Sequence, residues 1–177
     1  KIFDKILDKG SKLTGLKKKL FFWALALGEK YEPYEKNGSW YHFKLKIARK
    51  LIFVKWQEAL GSNLEFMISG SAPLQPRLIK VFTAAGIPVY EGYGMTESSP
   101  GATLNDLRNN SLKIGTVGKA LKGIEIKIAD DGEILVKGEN VMLGYWNNQL
   151  ETDKVLKNGW LSTGDIGEFD GEFLKIT

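Results

Sequence analysis

Cysteine is absent from all 177 residues, and histidine occurs once. Without thiols there is no disulfide framework, thiolate metal centre or cysteine nucleophile. That absence suits a reducing compartment, and a cytoplasmic location is the expectation. One imidazole cannot build a histidine metal cluster. His42, within WYHFKLKI, reads as a packing residue rather than a catalyst. Long apolar runs are missing too. The longest, LFFWALAL at 20–27, is far short of the roughly 18–20 residues a membrane-spanning helix needs. The basic start is not followed by the small-residue cleavage pattern of a signal peptide.

What is present is divided unevenly. Residues 1–60 carry 14 of the 25 basic residues but 6 of the 21 acidic ones. Residues 61–177 carry the remaining 11 against 15. Solvated faces of amphipathic helices explain the basic segment, and no nucleic-acid partner is expected. A peripheral membrane contact or a protein-interaction module stays open as an alternative.

Helical spacing of Ile2, Phe3, Ile6 and Leu7, then of Leu13, Leu16 and Leu20, predicts helix over 1–27, divided near Gly10 and Gly15. GEKYEPYEKNGSW (28–40) reads as a loop. A second helix is expected over 41–60, with Ile47, Leu51, Val54 and Trp56 facing a core. Next, LEFMI (64–68) alternates like a strand. A helix should open at Pro76, where proline suits the first helical position, and close at Gly86. IPVYE (87–91) reads as a second strand. Two strands joined by such a crossover are parallel, so the loops at 69–73 and 92–98 leave the same sheet edge. Beyond residue 104 short strands prevail. They include hairpins about Asp131-Gly132 and Asp170-Gly171 and a short helix over 147–159. Three segments result: helical 1–60, α/β 61–104 and β-rich 105–177.

The loop GYGMTE (92–97) carries the most suggestive chemistry. Gly92 and Gly94 allow close backbone approach, and Tyr93 offers a ring and a hydroxyl. Thr96 can meet a phosphate oxygen, and Glu97 is a hard ligand of the kind Mg²⁺ accepts beside phosphate and water. A polar surface turn would use the same residues. In GWLSTGD (159–165), Asp165 can accept from both hydroxyls of a ribose, or merely cap a turn.

Taken in order, SGSAPL (69–74), YGMTE (93–97), GEILVKGENVMLGYW (132–146) and GWLSTGD resemble the adenylate-forming superfamily. That group contains acyl-CoA synthetases, luciferases and the adenylation domains of peptide synthetases. LEFMISGSAPL and VYEGYGMTESSP look most like the long-chain fatty-acid–CoA ligases. The resemblance covers 61–177 well and 1–60 loosely. It implies an α/β fold: the parallel β-α-β core of a large N-terminal domain, followed by a β-rich, distorted barrel-like part.

The implied site has Gly70, Ser71 and Ala72 as a wall beside adenine and the acyl pocket. Glu91, Gly92 and Tyr93 bracket the adenine, with Tyr93 stacking on it. Gly94 and Met95 border the reacting carboxylate. Thr96 meets the α-phosphate, Glu97 holds Mg²⁺ and Asp165 holds the ribose. Thr96 and Glu97 are the implied catalytic pair. Substrates would be ATP (leaving AMP), a fatty acid and coenzyme A; aryl or amino acids are the alternative carboxylates. Neither the family's phosphate loop nor its hinge and C-terminal domain is matched around FLKIT or before residue 61. The chain is therefore expected to be a piece of a larger enzyme, inactive without the remainder of its parent chain.

Overall fold

The computed structural model describes residues 2–70 and 72–177. They form two compact units, the first comprising residues 1–67 and 74–89 and the second 68–73 and 90–177. The α/β segment expected over 61–104 is thus shared between the two, its helix in the first and its loops in the second.

The first unit is helical. Helices α1 (Ile2–Ser11) and α2 (Gly15–Glu29) are separated at residues 12–14. The division falls between Gly10 and Gly15, as expected, with Gly10 itself still inside α1. A Cβ there would fall 2.1 Å from the Phe21 ring, so its glycine lets the two helices close on each other. After the loop comes α3 (Ser39–Ala48), then a π-helical turn (Arg49–Phe53), then α4 (Val54–Ala59).

That turn corrects the expected core face. Tyr41, Leu45 and Ala48 are buried, and plain α-helix would bring residue 52 inward next. The wider turn inserts one residue, so Phe53 and Trp56 point inward instead, while Ile47 and Leu51 are exposed. Phe53 and Trp56 meet edge to face with centroids 5.0 Å apart.

Pro76 opens α5 (Pro76–Ala84) at the first position, as its fixed φ favours. This helix lies against α2 where Gly28 permits it; a Cβ on Gly28 would stand 3.3 Å from Val81 Cα. The carbonyls left over at the end of α5 find donors on the preceding helices. Arg49 Nε donates to Ala84 O and Gln57 Nε2 to Ala85 O, each at 2.8 Å. Gly86, at φ +81°, then turns the chain.

The strands begin later than the sequence suggested: β1 spans Met67–Ser69 and β2 spans Val89–Tyr93. Met67 N donates to Pro88 O at 2.9 Å, and a Cβ on Gly70 would lie 3.4 Å from Gly92 O. Pairing therefore advances in the same direction along both strands, and the crossover through α5 makes them parallel. Next come β3 (Thr103–Leu104) and β4 (Lys119–Ala120), in a sheet ordered β1-β2-β3-β4. Gly92 and Tyr93 pair antiparallel with Leu104 and Thr103.

The second sheet joins β5 (Ile124–Ile128), β6 (Glu133–Gly138), β8 (Trp160–Asp170) and β7 (Leu156–Lys157) in the order β5-β6-β8-β7, with β9 (Phe173–Ile176) on β8. Both Asp-Gly hairpins form, with Gly132 at φ +89° and Gly171 at +68°. The short helix α6 (Gln149–Val155) ends earlier than expected, because Leu156 and Lys157 pair with β8. Tyr93, Ala102, Ile134, Val136 and Leu174 form the core of this unit.

Phe53→Ala should cost about 3–5 kcal/mol in urea unfolding, the range for emptying a buried aromatic site. Trp40→Ala, on the outside of α3, should stay within about 0.5 kcal/mol of the parent.

Candidate functional site

Strand β2 does not break at Gly92; it runs to Tyr93 and the chain turns at Gly94. A Cβ on Gly94 would sit 1.6 Å from Pro100 O, so the loop folds back through space that only glycine leaves free. A single 3₁₀ turn, Thr96–Ser98, follows. Ser98 Oγ closes it, accepting from Met95 N and donating to Met95 O, each at 3.0 Å. Thr96 projects into solvent and Glu97 is half-buried.

Sequence reasoning named Glu97 but missed what positions it. The segment after β6 lies along this loop. Met142 N donates to Glu97 O at 2.8 Å. Asn140 Nδ2 donates to Ser98 O at 2.8 Å and to Gly101 O at 3.0 Å. The Tyr145 hydroxyl donates to Glu97 Oε1 at 2.9 Å. That hydrogen bond to a carboxylate raises the Tyr145 pKa above the usual tyrosine value. The signal was the motif GENVMLGYW itself, whose Asn and Tyr had been assigned no partner.

The fourth motif lies inside a strand rather than in a free turn. Pairing of β6 with β8 slips between Glu133 and Leu135, and Gly164 takes φ +74° at that bulge. Glu133 Oε1 accepts from Gly164 N at 2.8 Å, and Thr163 Oγ1 donates to Ile134 O at 2.7 Å. The bulge turns Asp165 to the surface, where its Oδ2 accepts from the Tyr93 hydroxyl at 2.7 Å.

Tyr93 itself departs from expectation. Its ring is 7% exposed and packs in the core of the second unit, so the face that was to stack on a base is covered here. Only the hydroxyl reaches the surface group. Burial above all holds its pKa well above the usual tyrosine value; the Asp165 bond adds to this, against a lowering effect of Thr163.

The remaining expected residues divide as follows. Gly70 and Gly92 are adjacent, and Ala72 is exposed. Ser71 lies outside the described residues. Glu91 is buried and its carbonyl accepts from Asn105 N at 2.7 Å. Met95 is half-buried. Among the described residues no three potential ligands cluster to hold a metal. A divalent ion at Glu97 would thus take one protein carboxylate and fill its shell with phosphate and water, the habit of Mg²⁺. The donor set of Thr96 hydroxyl, Glu97 and Asp165 fits a metal-bound nucleotide.

A family model described as AMP-binding enzyme matches residues 2–146. The long-chain-fatty-acid–CoA ligase FadD15 of Mycobacterium bovis is 46% identical, over 72% of this chain and 21% of its own. The long-chain-fatty-acid–CoA ligase ACSBG2 of Xenopus laevis is 36% identical, over 100% of this chain and 25% of its own. Among solved structures, o-succinylbenzoate coenzyme A synthetase of Bacillus subtilis in complex with AMP superposes with a TM-score of 0.60 at 32% identity, over 70% of this chain and 28% of its own. The chain spans about a fifth to a quarter of the length of the curated relatives it matches.

Gly94→Ala should cost about 3 kcal/mol or more in urea unfolding, because the clash is with backbone. Tyr93 gives a pH signature. Its folded pKa lies above the unfolded value near 10, so its stabilisation is intact below about pH 10 and declines as pH rises further. Alkaline unfolding curves should lose part of that slope in Tyr93→Phe.

Proposed function

This chain belongs to the AMP-binding enzyme family, and from that premise we propose that it is the nucleotide-binding portion of a long-chain fatty-acid–CoA ligase. The parent activity would join a fatty acid to ATP, giving acyl-AMP and pyrophosphate, and then transfer the acyl group to coenzyme A. One observation carries the reading above the others: Tyr93 and Asp165, 72 residues apart, meet in a hydrogen bond of 2.7 Å. Two motifs of a nucleotide site are thereby joined, and Gly70 beside Gly92 adds a third.

In this reading Asp165 receives the ribose hydroxyls. The Tyr93 hydroxyl occupies one carboxylate oxygen and fixes the orientation of the other, so Tyr93 acts here as a positioning residue. Backbone at Gly70, Ala72 and Gly92 would border the adenine in this reading; the Cβ space of Gly92 is taken by Thr103 O at 2.9 Å and the Leu104 side chain at 3.2 Å. Thr96 offers its hydroxyl to the α-phosphate, and Glu97 would hold Mg²⁺, which when bound would neutralise phosphate charge. Tyr145 holds the Glu97 carboxylate in place before any ion arrives. The work asked of these residues is alignment of a carboxylate with phosphorus and stabilisation of developing charge.

Names among the relatives favour a fatty acid as the carboxylate, and several of the matched ligases carry it in their description. An aryl acid is the weaker alternative; an indoleacetate–CoA ligase from Aromatoleum aromaticum matches at 38% identity over 67% of this chain. A cytoplasmic site of action with peripheral access to lipid completes the reading.

AMP titrated into the protein, followed by calorimetry, tests it. Asp165→Ala should weaken AMP at least about tenfold, as expected for losing a charge-assisted bond to ribose. Glu97→Gln should leave AMP unchanged and weaken Mg²⁺-dependent ATP binding by a similar factor. Undiminished AMP affinity in Asp165→Ala would remove the reading.

A further inference from the structure

The bulge between β6 and β8 takes two backbone donors out of the ladder, and side chains answer them. Regular pairing joins Leu135 to Ser162 and resumes at Glu133 with Ile166, so Thr163, Gly164 and Asp165 stand opposite Ile134 alone. Gly164 N donates to Glu133 Oε1 at 2.8 Å. Asp165 N donates to Thr163 Oγ1 at 3.2 Å, while that hydroxyl donates to Ile134 O at 2.7 Å. Of the two side chains Glu133 is the charged one, and a charged acceptor holds an amide more strongly than a neutral one.

Glu133 is well placed for this task. It opens β6 directly after the Asp131-Gly132 turn, where its own N–H donates to Asp131 Oδ1 at 3.1 Å and its carbonyl accepts from Ala129 N at 2.8 Å. Its backbone is thus fixed on both sides before the carboxylate reaches across to β8. Among the described residues no lysine or arginine forms an ion pair with it. Asp165 depends on the result. Its Oδ2 meets the Tyr93 hydroxyl at 2.7 Å. Releasing the Gly164 amide lets the bulged residues move toward regular pairing, and a shift of one residue in a strand turns its side chains to the other face.

We propose that Glu133 is a positioning residue for the nucleotide site: by holding the Gly164 amide it fixes the bulge that aims Asp165 at the ribose hydroxyls. What Asp165 meets rests on the nucleotide reading above; how it is aimed follows from the β6–β8 hydrogen bonds. Glu133 should then matter to a nucleotide through its ribose and through nothing else.

AMP and its dideoxy analogue, which lacks both ribose hydroxyls, are the probes, titrated into the full chain and followed in proton–nitrogen NMR spectra. Glu133→Val keeps strand propensity but offers no acceptor. It should weaken AMP about fivefold, short of the loss in Asp165→Ala, because the ribose acceptor remains and its orientation alone is released. Glu133→Gln restores a neutral acceptor and should bring AMP affinity to within about twofold of the parent. Neither variant should change affinity for the dideoxy analogue. Added to Asp165→Ala, Glu133→Val should cost nothing further, since it acts through that carboxylate. The Gly164 amide proton reports the bond without any nucleotide: it should move upfield in Glu133→Val and stay near its parent position in Glu133→Gln. An unmoved Gly164 amide in Glu133→Val overturns the proposal. So do equal losses of AMP and the dideoxy analogue, which would reduce Glu133 to support of the fold. Full AMP affinity in Glu133→Val beside a loss in Asp165→Ala overturns it too, while leaving the nucleotide reading standing. Undiminished AMP affinity in Asp165→Ala removes that reading and this assignment together.

Discussion

The parallel pairing of β1 with β2 is the constraint on which the candidate site depends. A parallel pair cannot be joined by a tight turn, so the chain must leave the end of one strand and return through a crossover. Here α5 supplies that return. Its consequence is that Gly70 and Gly92, separated by a whole helix in sequence, become backbone neighbours. An antiparallel pairing would have sent the two loops to opposite edges, and the four motifs would then have no common place in which to act. Everything assigned to adenine and phosphate follows from this shared edge.

Adjacency alone would give a floppy loop, and the second unit supplies the stiffening. Gly94 folds the chain back so tightly that its missing Cβ is occupied by the Pro100 carbonyl. Ser98 then closes the 3₁₀ turn on Met95. From outside, Asn140, Met142 and Tyr145 hold the same turn by backbone and carboxylate. If Glu97 meets a cation as proposed, its prior orientation helps, because less freedom is then lost when the ion arrives. The β6–β8 bulge does the corresponding work for Asp165, which a regular strand would have pointed elsewhere. Both acidic groups therefore owe their geometry to irregular backbone held by ordinary hydrogen bonds.

How far this could be seen in the residues depended on the range of the interaction. The crossover unit, both Asp-Gly hairpins and the proline start of α5 were legible because each is fixed locally, by φ preferences and by alternation. The buried face of α3 and α4 was not. Periodicity placed Ile47 and Leu51 inside, whereas α3 buries Tyr41, Leu45 and Ala48 on another face, and nothing in RKLIF announces the π turn that then brings in Phe53 and Trp56. The division near Gly10 and Gly15 was legible, but the packing role of Gly10 was not. Glycine reads as a helix breaker, whereas here its lack of a side chain admits Phe21. In the site, Gly92, Gly94 and Asp165 were legible as residue types. The cover over the Tyr93 ring and the Tyr145–Glu97 bond were not, because both depend on strands paired far away in sequence.

The π turn acts on the interior of the first unit. By moving Phe53 and Trp56 inward it completes an aromatic core with Phe21 and Phe82. Trp40, Phe43 and Ile47 lie before the turn, on the side of α3 away from buried Tyr41, Leu45 and Ala48, and are exposed with Leu51. Exposed apolar area of this kind has no stabilising role in an isolated fold and promotes association. Lys5, Lys9, Lys17 and Lys55 line the cleft that Leu51 and Ile52 also border.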